Sequence, residues 1–269
     1  MFSKLYKMFF VYILLMVLTN FYANAEGKVA ADKPNIIFIF ADDLGWGDIS
    51  LHGHPDIRTP NIDRLANEGS EFYQFSVSNP VCSPSRAAAL TGQYPARKSI
   101  HRHFDTTEHH NNFGIPDWLD KNVVTMPRVL QQAGYKTAHF GKWHLTNRNI
   151  KDAPLPTEYG YDETAFFNGL GPQTDTFKLY DDATDFIKRN KNAPFFINLW
   201  IHETYLPHYP PSNSMEKYTH LNEQDQVYAA AVDGADQRIG KILNVLDELK
   251  LSDNTLIIFS SDNGPEHQG

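Results

Sequence analysis

The sequence predicts an α/β fold with a largely parallel sheet that helices cover on both faces. Short apolar segments of strand length alternate along the chain with amphipathic segments of helical length, which is typical of parallel βαβ units. A polar cluster follows each apolar segment, as expected where the carboxyl ends of parallel strands form a binding edge. With 269 residues, of which 41% are hydrophobic and 21% charged, the chain can also bury a large core.

Apolar segments predict four strands, at residues 35–40, 136–140, 195–201 and 255–260. Parallel strands that are buried on both faces are nearly continuous in apolar residues, and these segments fit that description. We therefore expect the polar residues that follow the strands to converge on one edge of the sheet.

Start and stop signals predict the helices between the strands. Thr59 and Thr125 are suitable residues for the beginning of a helix. Gly69 and Gly134 lie at the far ends of these two segments and are suitable residues to end a helix. In the longest segment the apolar side chains recur mostly at three- and four-residue spacings, which indicates core packing. The predicted helices cover residues 60–69, 125–134, 175–189 and 222–249.

Residues 1–25 have the features of a secretory signal peptide. Two lysines precede an apolar segment at 8–18, and Ala-Asn-Ala at 23–25 is a suitable cleavage site. The apolar segment is shorter than the about 20 residues that a membrane span needs. We therefore expect a secreted or periplasmic protein whose mature chain, residues 26–269, has no membrane span.

The formal net charge of −8 and the lack of an overall basic surface argue against nucleic-acid binding. The chain has one cysteine, Cys82, which cannot form an internal disulfide even though export would bring it to an oxidising compartment. Its role is therefore either that of a buried structural residue or a chemical one.

Cys82 lies at the beginning of a predicted short helix. Ser83 is the expected N-cap, Pro84 the first helical residue and Gly92 the stop. Free backbone N–H groups at such a helix start attract anions, and the guanidinium of Arg86 matches the oxygens of sulfate or phosphate. The pattern indicates a nucleophile beside an oxyanion-binding site.

Hard oxygen donors follow the first and the last predicted strand. Asp42 and Asp43 come after the first, and Asp262 and Asn263 after the last. Carboxylate and amide oxygens suit Ca²⁺ or Mg²⁺ better than zinc, and we expect Ca²⁺. Either pair by itself would more often be a turn or a helix cap.

Two further polar segments follow strands and contain candidate catalytic residues. Strand alternation puts Lys142 and His144 on one side of the chain and Trp143 on the other, so that an anion-binding cation and a proton-transferring base would act together. The alternative is a solvated strand end. His208 lies in Pro-His-Tyr-Pro after the aromatic strand, whereas His202 at the end of that strand is interpreted as structural.

The histidine-rich segment 101–110 is predicted to be an exposed loop, because Asp105 and the two threonines after it are typical of one. Nothing in the sequence fixes its geometry, so neither a metal nor a substrate contact is assigned to it. Trp46 and Trp118 could stack on a sugar ring, but we expect them in the core.

Together these motifs resemble the type I, formylglycine-dependent sulfatases of the alkaline phosphatase-like superfamily. The resemblance depends on Cys-Ser-Pro-Ser-Arg at 82–86, Thr-Gly-Gln-Tyr-Pro-Ala-Arg at 91–97, Gly-Lys-Trp-His at 141–144, and the order Asp-Asp, Cys, Asp-Asn along the chain. It covers nearly all of the sequence after the leader but only the N-terminal part of a family member. We therefore expect 26–269 to be a truncated N-terminal catalytic domain, without the family's C-terminal sheet and downstream lysine.

The resemblance implies a sulfuric ester hydrolase acting on a sulfated carbohydrate or an aryl sulfate. A maturation enzyme would convert Cys82 to formylglycine, whose hydrate is the nucleophile; Arg86 and Lys142 would hold the sulfuryl charge, His208 would protonate the leaving group, and His144 would deprotonate the second hydroxyl. The implied ligands of one Ca²⁺ are Asp42, Asp43, Cys82, Asp262 and Asn263. The alternatives are a phosphonate or phosphate ester hydrolase of the same superfamily, or an inactive secreted fragment that binds sulfated glycans.

Overall fold

The computed structural model describes residues 33–168 and 177–265, and nearly all of them belong to one compact unit that begins at Asn35. The strands are β1 (Asn35–Ala41), β2 (Lys136–Lys142), β3 (Glu163–Phe167), β4 (Phe195–Ile201) and β5 (Thr255–Ser261). They form an all-parallel sheet with the order β3-β2-β4-β1-β5.

The predicted α/β class and the four predicted strands are confirmed. Strand β3 is absent from the sequence prediction. It lies at an edge of the sheet, pairs with β2, and all five of its residues are only partly buried. An edge strand of this kind lacks the continuous apolar run that marks the central strands.

The described residues contain helices on both sides of this sheet. They are α1 (Pro60–Glu68), α2 (Cys82–Thr91), α3 (Thr107–Phe113), α4 (Met126–Gln132), α5 (Phe177–Asn190), α6 (Ser212–Met215) and α7 (Glu223–Glu248). Helices α1, α4 and α7 confirm three predicted helices to within a few residues. The predicted helix at 175–189 corresponds to α5, and its first two residues lie outside the described part.

Alternate residues of β1 pack into two separate hydrophobic clusters. Ile37 and Ile39 face a cluster that includes side chains of α1, α5 and α7. Phe38 and Phe40 face the other, to which α2 and α4 contribute. Both faces of the central strand are therefore covered, which leaves the strand ends as the place where polar side chains can gather.

The long helix α7 passes close to α1 at Gly240. A Cβ atom on Gly240 would lie 2.6 Å from the side-chain oxygen of Asn61. Asn61 cannot easily move away, because its side chain and backbone N–H donate to the Asp236 carboxylate at 2.7 and 3.0 Å. The glycine therefore permits a close helix contact, and α7 continues through it as predicted.

The beginning of α2 differs from the expectation by two residues. Cys82 is itself the first helical residue, and Val81, not Ser83, takes the N-cap position. The Ser83 hydroxyl is instead used in a tertiary contact, because it accepts a hydrogen bond from the Phe104 N–H at 2.9 Å. The helix ends at Gly92 as predicted.

The expectation of an exposed loop at 101–110 is wrong for its second half. The hydroxyl of Thr106 accepts a hydrogen bond from the His109 N–H at 3.2 Å and thereby caps α3. His110 is buried. The sequence signal for this helix was Thr106 as a possible N-cap, whereas the sequence-based prediction assigns both threonines to a loop.

The expected core position of Trp46 is also wrong. Its side chain is 66% exposed, and its ring stacks on that of His52 with the centroids 3.9 Å apart. Trp118 is partly buried.

The proposed signal peptide at 1–25 lies outside the described residues. Among the helices of the described part, none is long and apolar enough to cross a bilayer.

Candidate active site

The polar residues after β1 and β5 meet at the carboxyl edge of the sheet. These strands are neighbours, so Asp42 and Asp43 lie beside Asp262 and Asn263. The backbone N–H of Asp43 donates to Asp262 Oδ1 at 3.2 Å, and Asn263 Nδ2 donates to Asp43 Oδ1 at 2.5 Å. The two pairs of oxygen donors singled out in the sequence thus form one buried cluster.

Asp42 is the most heavily bonded group of this cluster. Its fully buried carboxylate accepts hydrogen bonds from Arg86 Nη2 at 2.8 Å, from Lys142 Nζ at 2.7 and 2.9 Å, and from His202 Nδ1 at 2.6 Å. Burial alone would raise the pKa of Asp42, but the charges of Lys142 and Arg86 outweigh it and hold the pKa well below 3.8. Asp42 is therefore ionised.

Arg86 joins three strand ends from its position on α2. Its Nη2 donates to Asp42 Oδ1 at 2.8 Å and to Asp262 Oδ2 at 2.7 Å, while Nη1 donates to the backbone oxygen of Lys142 at 3.0 Å. The guanidinium also lies over the Trp200 ring, 5.1 Å from its centroid. These contacts orient the carboxylates. The sequence instead predicts that the guanidinium binds the oxygens of a sulfate or phosphate directly.

Cys82 is buried at the start of α2 and faces both a cation and a carboxylate. Its Sγ lies 3.4 Å from Lys142 Nζ and 4.0 Å from Asp43 Oδ1. Burial and the nearby charge of Asp42 raise the pKa of the thiol, and Lys142 offsets only part of this. The thiol therefore stays protonated at neutral pH and would be a poor thiolate nucleophile.

Lys142 is the last residue of β2 and carries its charge into the interior. Burial would lower the pKa of Lys142, but Asp42 opposes it and the pKa is raised above 10.5. The Nζ atom also lies 3.9 Å from the centroid of the Tyr205 ring. Gly141 before it has φ 115°, and a Cβ atom there would lie 1.9 Å from the Trp200 carbonyl oxygen, so glycine is required.

His144 is held by a hydrogen bond to the loop that contains Phe104. Its Nε2–H donates to the Phe104 carbonyl at 3.0 Å, which fixes the tautomer. The buried Nδ1 atom has no hydrogen-bond partner among the described residues. Burial, with Lys142 nearby, lowers the pKa of His144 well below 6.5, so the ring is neutral and Nδ1 is a hydrogen-bond acceptor.

His208 stands apart from the other predicted site residues. Its Nε2 is bonded to the Thr204 carbonyl at 3.2 Å, and its ring packs edge-on against Tyr228. The link to the cluster is indirect, because the Thr204 hydroxyl donates to the backbone oxygen of Asp42. Burial lowers the pKa of His208, and its side chain remains partly exposed.

His202 is a member of the site that sequence reasoning missed. Its ring contacts Asp42 directly, at 2.6 Å. Its backbone N–H donates to Glu203 at 3.0 Å, and Arg238 on α7 donates to the same carboxylate at 2.9 Å. The signal was its position directly after β4, but only the sheet order, with β4 beside β1, shows that it meets Asp42.

The cluster fits a divalent cation with hard ligands. Ligand atoms of Asp42, Asp43 and Cys82 lie within 4.8 Å of one another, and all three residues are buried. The side-chain oxygen of Asn263 is buried without a hydrogen-bond partner in the described ranges, as expected for an amide oxygen that a cation would complete. Carboxylate and amide oxygens are the ligands that Ca²⁺ and Mg²⁺ prefer.

Comparison with known proteins agrees with this arrangement. The model of the family described as Sulfatase matches residues 34–269. The N-acetylgalactosamine-6-sulfatase of Canis lupus familiaris is 33% identical over 93% of the chain and 53% of its own length. Arylsulfatase A of Bos taurus is 32% identical over 91% of the chain and 54% of its own length.

A solved structure agrees as well. The crystal structure of Ps i-CgsB superposes with a TM-score of 0.77 at 30% identity, covering 87% of this chain and 59% of that one. The same protein has been crystallised with k-i-k-neocarrahexaose. The chain spans about half the length of the curated relatives that it matches.

Proposed function

The chain belongs to the sulfatase family, and we propose that it carries the catalytic site of a sulfuric ester hydrolase. The substrate would be a sulfated carbohydrate or an aryl sulfate. Its similarity to N-acetylgalactosamine-6-sulfatases and to a protein crystallised with an oligosaccharide supports the carbohydrate class.

The environment of Cys82 carries this proposal. Its Sγ lies 3.4 Å from the Lys142 ammonium group and 4.0 Å from the Asp43 carboxylate, among the buried charged residues at the carboxyl edge of the sheet. A thiol whose pKa is raised by burial has little use there as a thiolate. The position suits an oxygen nucleophile better, which supports conversion of Cys82 to formylglycine by a maturation enzyme.

A calcium ion would complete the site. The residues that would hold it are Asp42, Asp43, Asp262, Asn263 and the side chain at position 82. It would supply positive charge for the sulfate oxygens and for the hydroxyl of the formylglycine hydrate. Since Asp42 already accepts from Lys142 and Arg86, these two cations would orient its oxygens.

The chain's own side chains would handle the protons. Lys142 would hold the nucleophile in place, because its Nζ lies 3.4 Å from the side chain at position 82. Nδ1 of His144 would accept the proton that is released when sulfate leaves, because Nε2 is already used on Phe104. His208, partly exposed, would protonate the leaving alcohol. Arg86 would fix Asp42 and Asp262.

The same proposal includes export of the protein. Residues 1–25 would direct it to the periplasm or the cell exterior and be removed, which leaves 26–269 as the catalytic domain. Sulfated polysaccharides or smaller sulfated compounds outside the cytoplasm would then be the substrates.

The test is a comparison of ester substrates. The chain, produced with a formylglycine-generating enzyme and loaded with Ca²⁺, should release sulfate from 6-sulfated N-acetylgalactosamine or an aryl sulfate, and Cys82→Ala should abolish the release. Preference for the matching phosphate or phosphonate ester would favour the alternative hydrolase. No hydrolysis of any ester by the converted chain, with retained binding of sulfated glycans, would favour the inactive fragment.

A further inference from the structure

A second group of metal-binding side chains lies outside the cluster around Asp42. Ligand atoms of His103, Asp105 and His109 lie within 4.8 Å of one another, and all three side chains are partly exposed. His109 Nδ1 is 3.0 Å from Asp105 Oδ2. The rings of His103 and His109 meet edge to face with their centroids 5.9 Å apart.

The backbone that carries these side chains is fixed. The Asp105 N–H donates to His110 Nε2 at 2.6 Å, and His110 Nδ1 donates in turn to Asp117 at 2.5 Å. The Thr106 hydroxyl accepts from the His109 N–H at the start of α3. The hydrogen bond to buried His110 therefore fixes the backbone of Asp105, and the helix cap fixes that of His109. Both side chains consequently stay close to His103.

We propose that His103, Asp105 and His109 form a transition-metal site that binds Zn²⁺ or another cation with a preference for imidazole. Two imidazoles and one carboxylate are a common three-residue zinc set, with a fourth position left for water. In a tetrahedral site the ligand atoms would lie about 3.4 Å from one another. His109 Nδ1 and Asp105 Oδ2, at 3.0 Å, would move slightly apart, and side-chain rotation would bring the remaining pairs, which lie within 4.8 Å, to the same spacing. Ca²⁺ would favour the carboxylate cluster around Asp42 instead.

This second site adjoins the residue that the proposed mechanism uses as a base. Phe104, whose carbonyl accepts from His144 Nε2, lies in the chain between His103 and Asp105. The rings of His103 and His144 have their centroids 6.4 Å apart. A cation held at this position would therefore bind the segment that orients His144 and would add positive charge beside it.

Zinc binding by the Ca²⁺-loaded full chain tests the proposal. The Cys82→Ala background removes the thiol as a competing ligand, and Zn²⁺ is titrated against a chromophoric chelator. We expect one tight equivalent, weakened by roughly 100-fold or more in His103→Ala and in His109→Ala. His101→Ala is the matched control, because His101 is exposed, lies two residues from His103 and is outside the cluster; it should bind Zn²⁺ as the parent does.

Two checks keep the result interpretable. His109→Gln and Asp105→Asn keep the size of the side chain, and the thermal unfolding of each variant in chelator should match that of the parent. Co²⁺ in place of Zn²⁺ should give the visible absorption of a tetrahedral site, which His109→Gln should lose. The proposal is overturned if the parent binds no Zn²⁺, or if the His103→Ala/His109→Ala double variant binds it as tightly.

Discussion

Lys142 and Asp42 form an ion pair that is fully buried. One ammonium group donates to both oxygens of one carboxylate, at 2.9 and 2.7 Å, and joins the end of β2 to the end of β1. The pair is also the most direct link between the carboxylate cluster and Cys82, because the same Nζ lies 3.4 Å from Sγ.

Removal of the Lys142 charge should destabilise the fold. Lys142→Met leaves Asp42 with Arg86 and His202 but without its main counter-charge, and we expect a loss of about 3 kcal/mol in the free energy of unfolding, measured with urea. Lys121→Met is the control, since the Lys121–Glu158 pair is largely exposed and should contribute less than about 1 kcal/mol. Equal losses in the two variants would contradict the assigned role of the buried pair.

The stability of the cation-free protein should depend on Asp262. Burial, opposed by Arg86 and reinforced by Asp42, raises the pKa of Asp262 from 3.8 to about 7. The folded chain then holds this proton more tightly than the unfolded chain, so the contribution of Asp262 to stability falls as pH rises from 3.8 to about 7.

Asp262→Asn does not titrate, which isolates this effect from that of the histidines. In chelator, we expect the melting temperature of Asp262→Asn minus that of the wild type to increase between pH 5 and about pH 7. Saturating Ca²⁺ should remove the trend in the wild type, because the cation favours the ionised carboxylate. A difference between the two proteins that stays constant with pH would show that the Asp262 pKa is ordinary.

His144 should matter for turnover more than for folding. In His144→Gln the side-chain amide can still donate to the Phe104 carbonyl, but the proton acceptor Nδ1 is gone. We expect kcat for sulfate release to fall by about 100-fold or more, with little change in melting temperature. Retained kcat in His144→Gln would mean that another group accepts the proton.

The effect of replacing His208 should depend on the leaving group of the substrate. If it protonates the departing oxygen, His208→Gln should slow hydrolysis of a sugar sulfate, whose alcohol is a poor leaving group, far more than hydrolysis of a nitrophenyl sulfate. We expect the two losses to differ by roughly 100-fold. His220→Gln, at an exposed histidine bonded to Asp56, serves as the control and should change neither rate. Equal losses on the two substrates would contradict the acid role.

Sequence patterns were sufficient for four of the five strands and for most of the site. Continuous apolar runs marked β1 and β4, which are buried on both faces, and also β5, an edge strand whose sequence is apolar although Leu256 and Ile258 are exposed. The edge strand β3, with its partly buried residues, gave no such signal. The helix α3 was missed because its cap, Thr106, is also typical of a loop.

What the sequence could not supply was spatial order. His202 contacts Asp42 because β4 lies beside β1, which no local pattern states. The three contacts of Arg86 likewise depend on the ends of β1, β2 and β5 meeting below α2. Residue types and their position after strands indicated a polar edge, but the partners followed from the sheet topology.

The proposed mechanism depends on the chemical state of residue 82. It is tested by the mass of the tryptic peptide 65–86, purified after production with a formylglycine-generating enzyme, beside the same peptide from Cys82→Ser produced in the same way. We expect the wild-type peptide to have lost its thiol and to react with a hydrazide as an aldehyde does. A wild-type peptide that keeps the mass and alkylation of cysteine would contradict it.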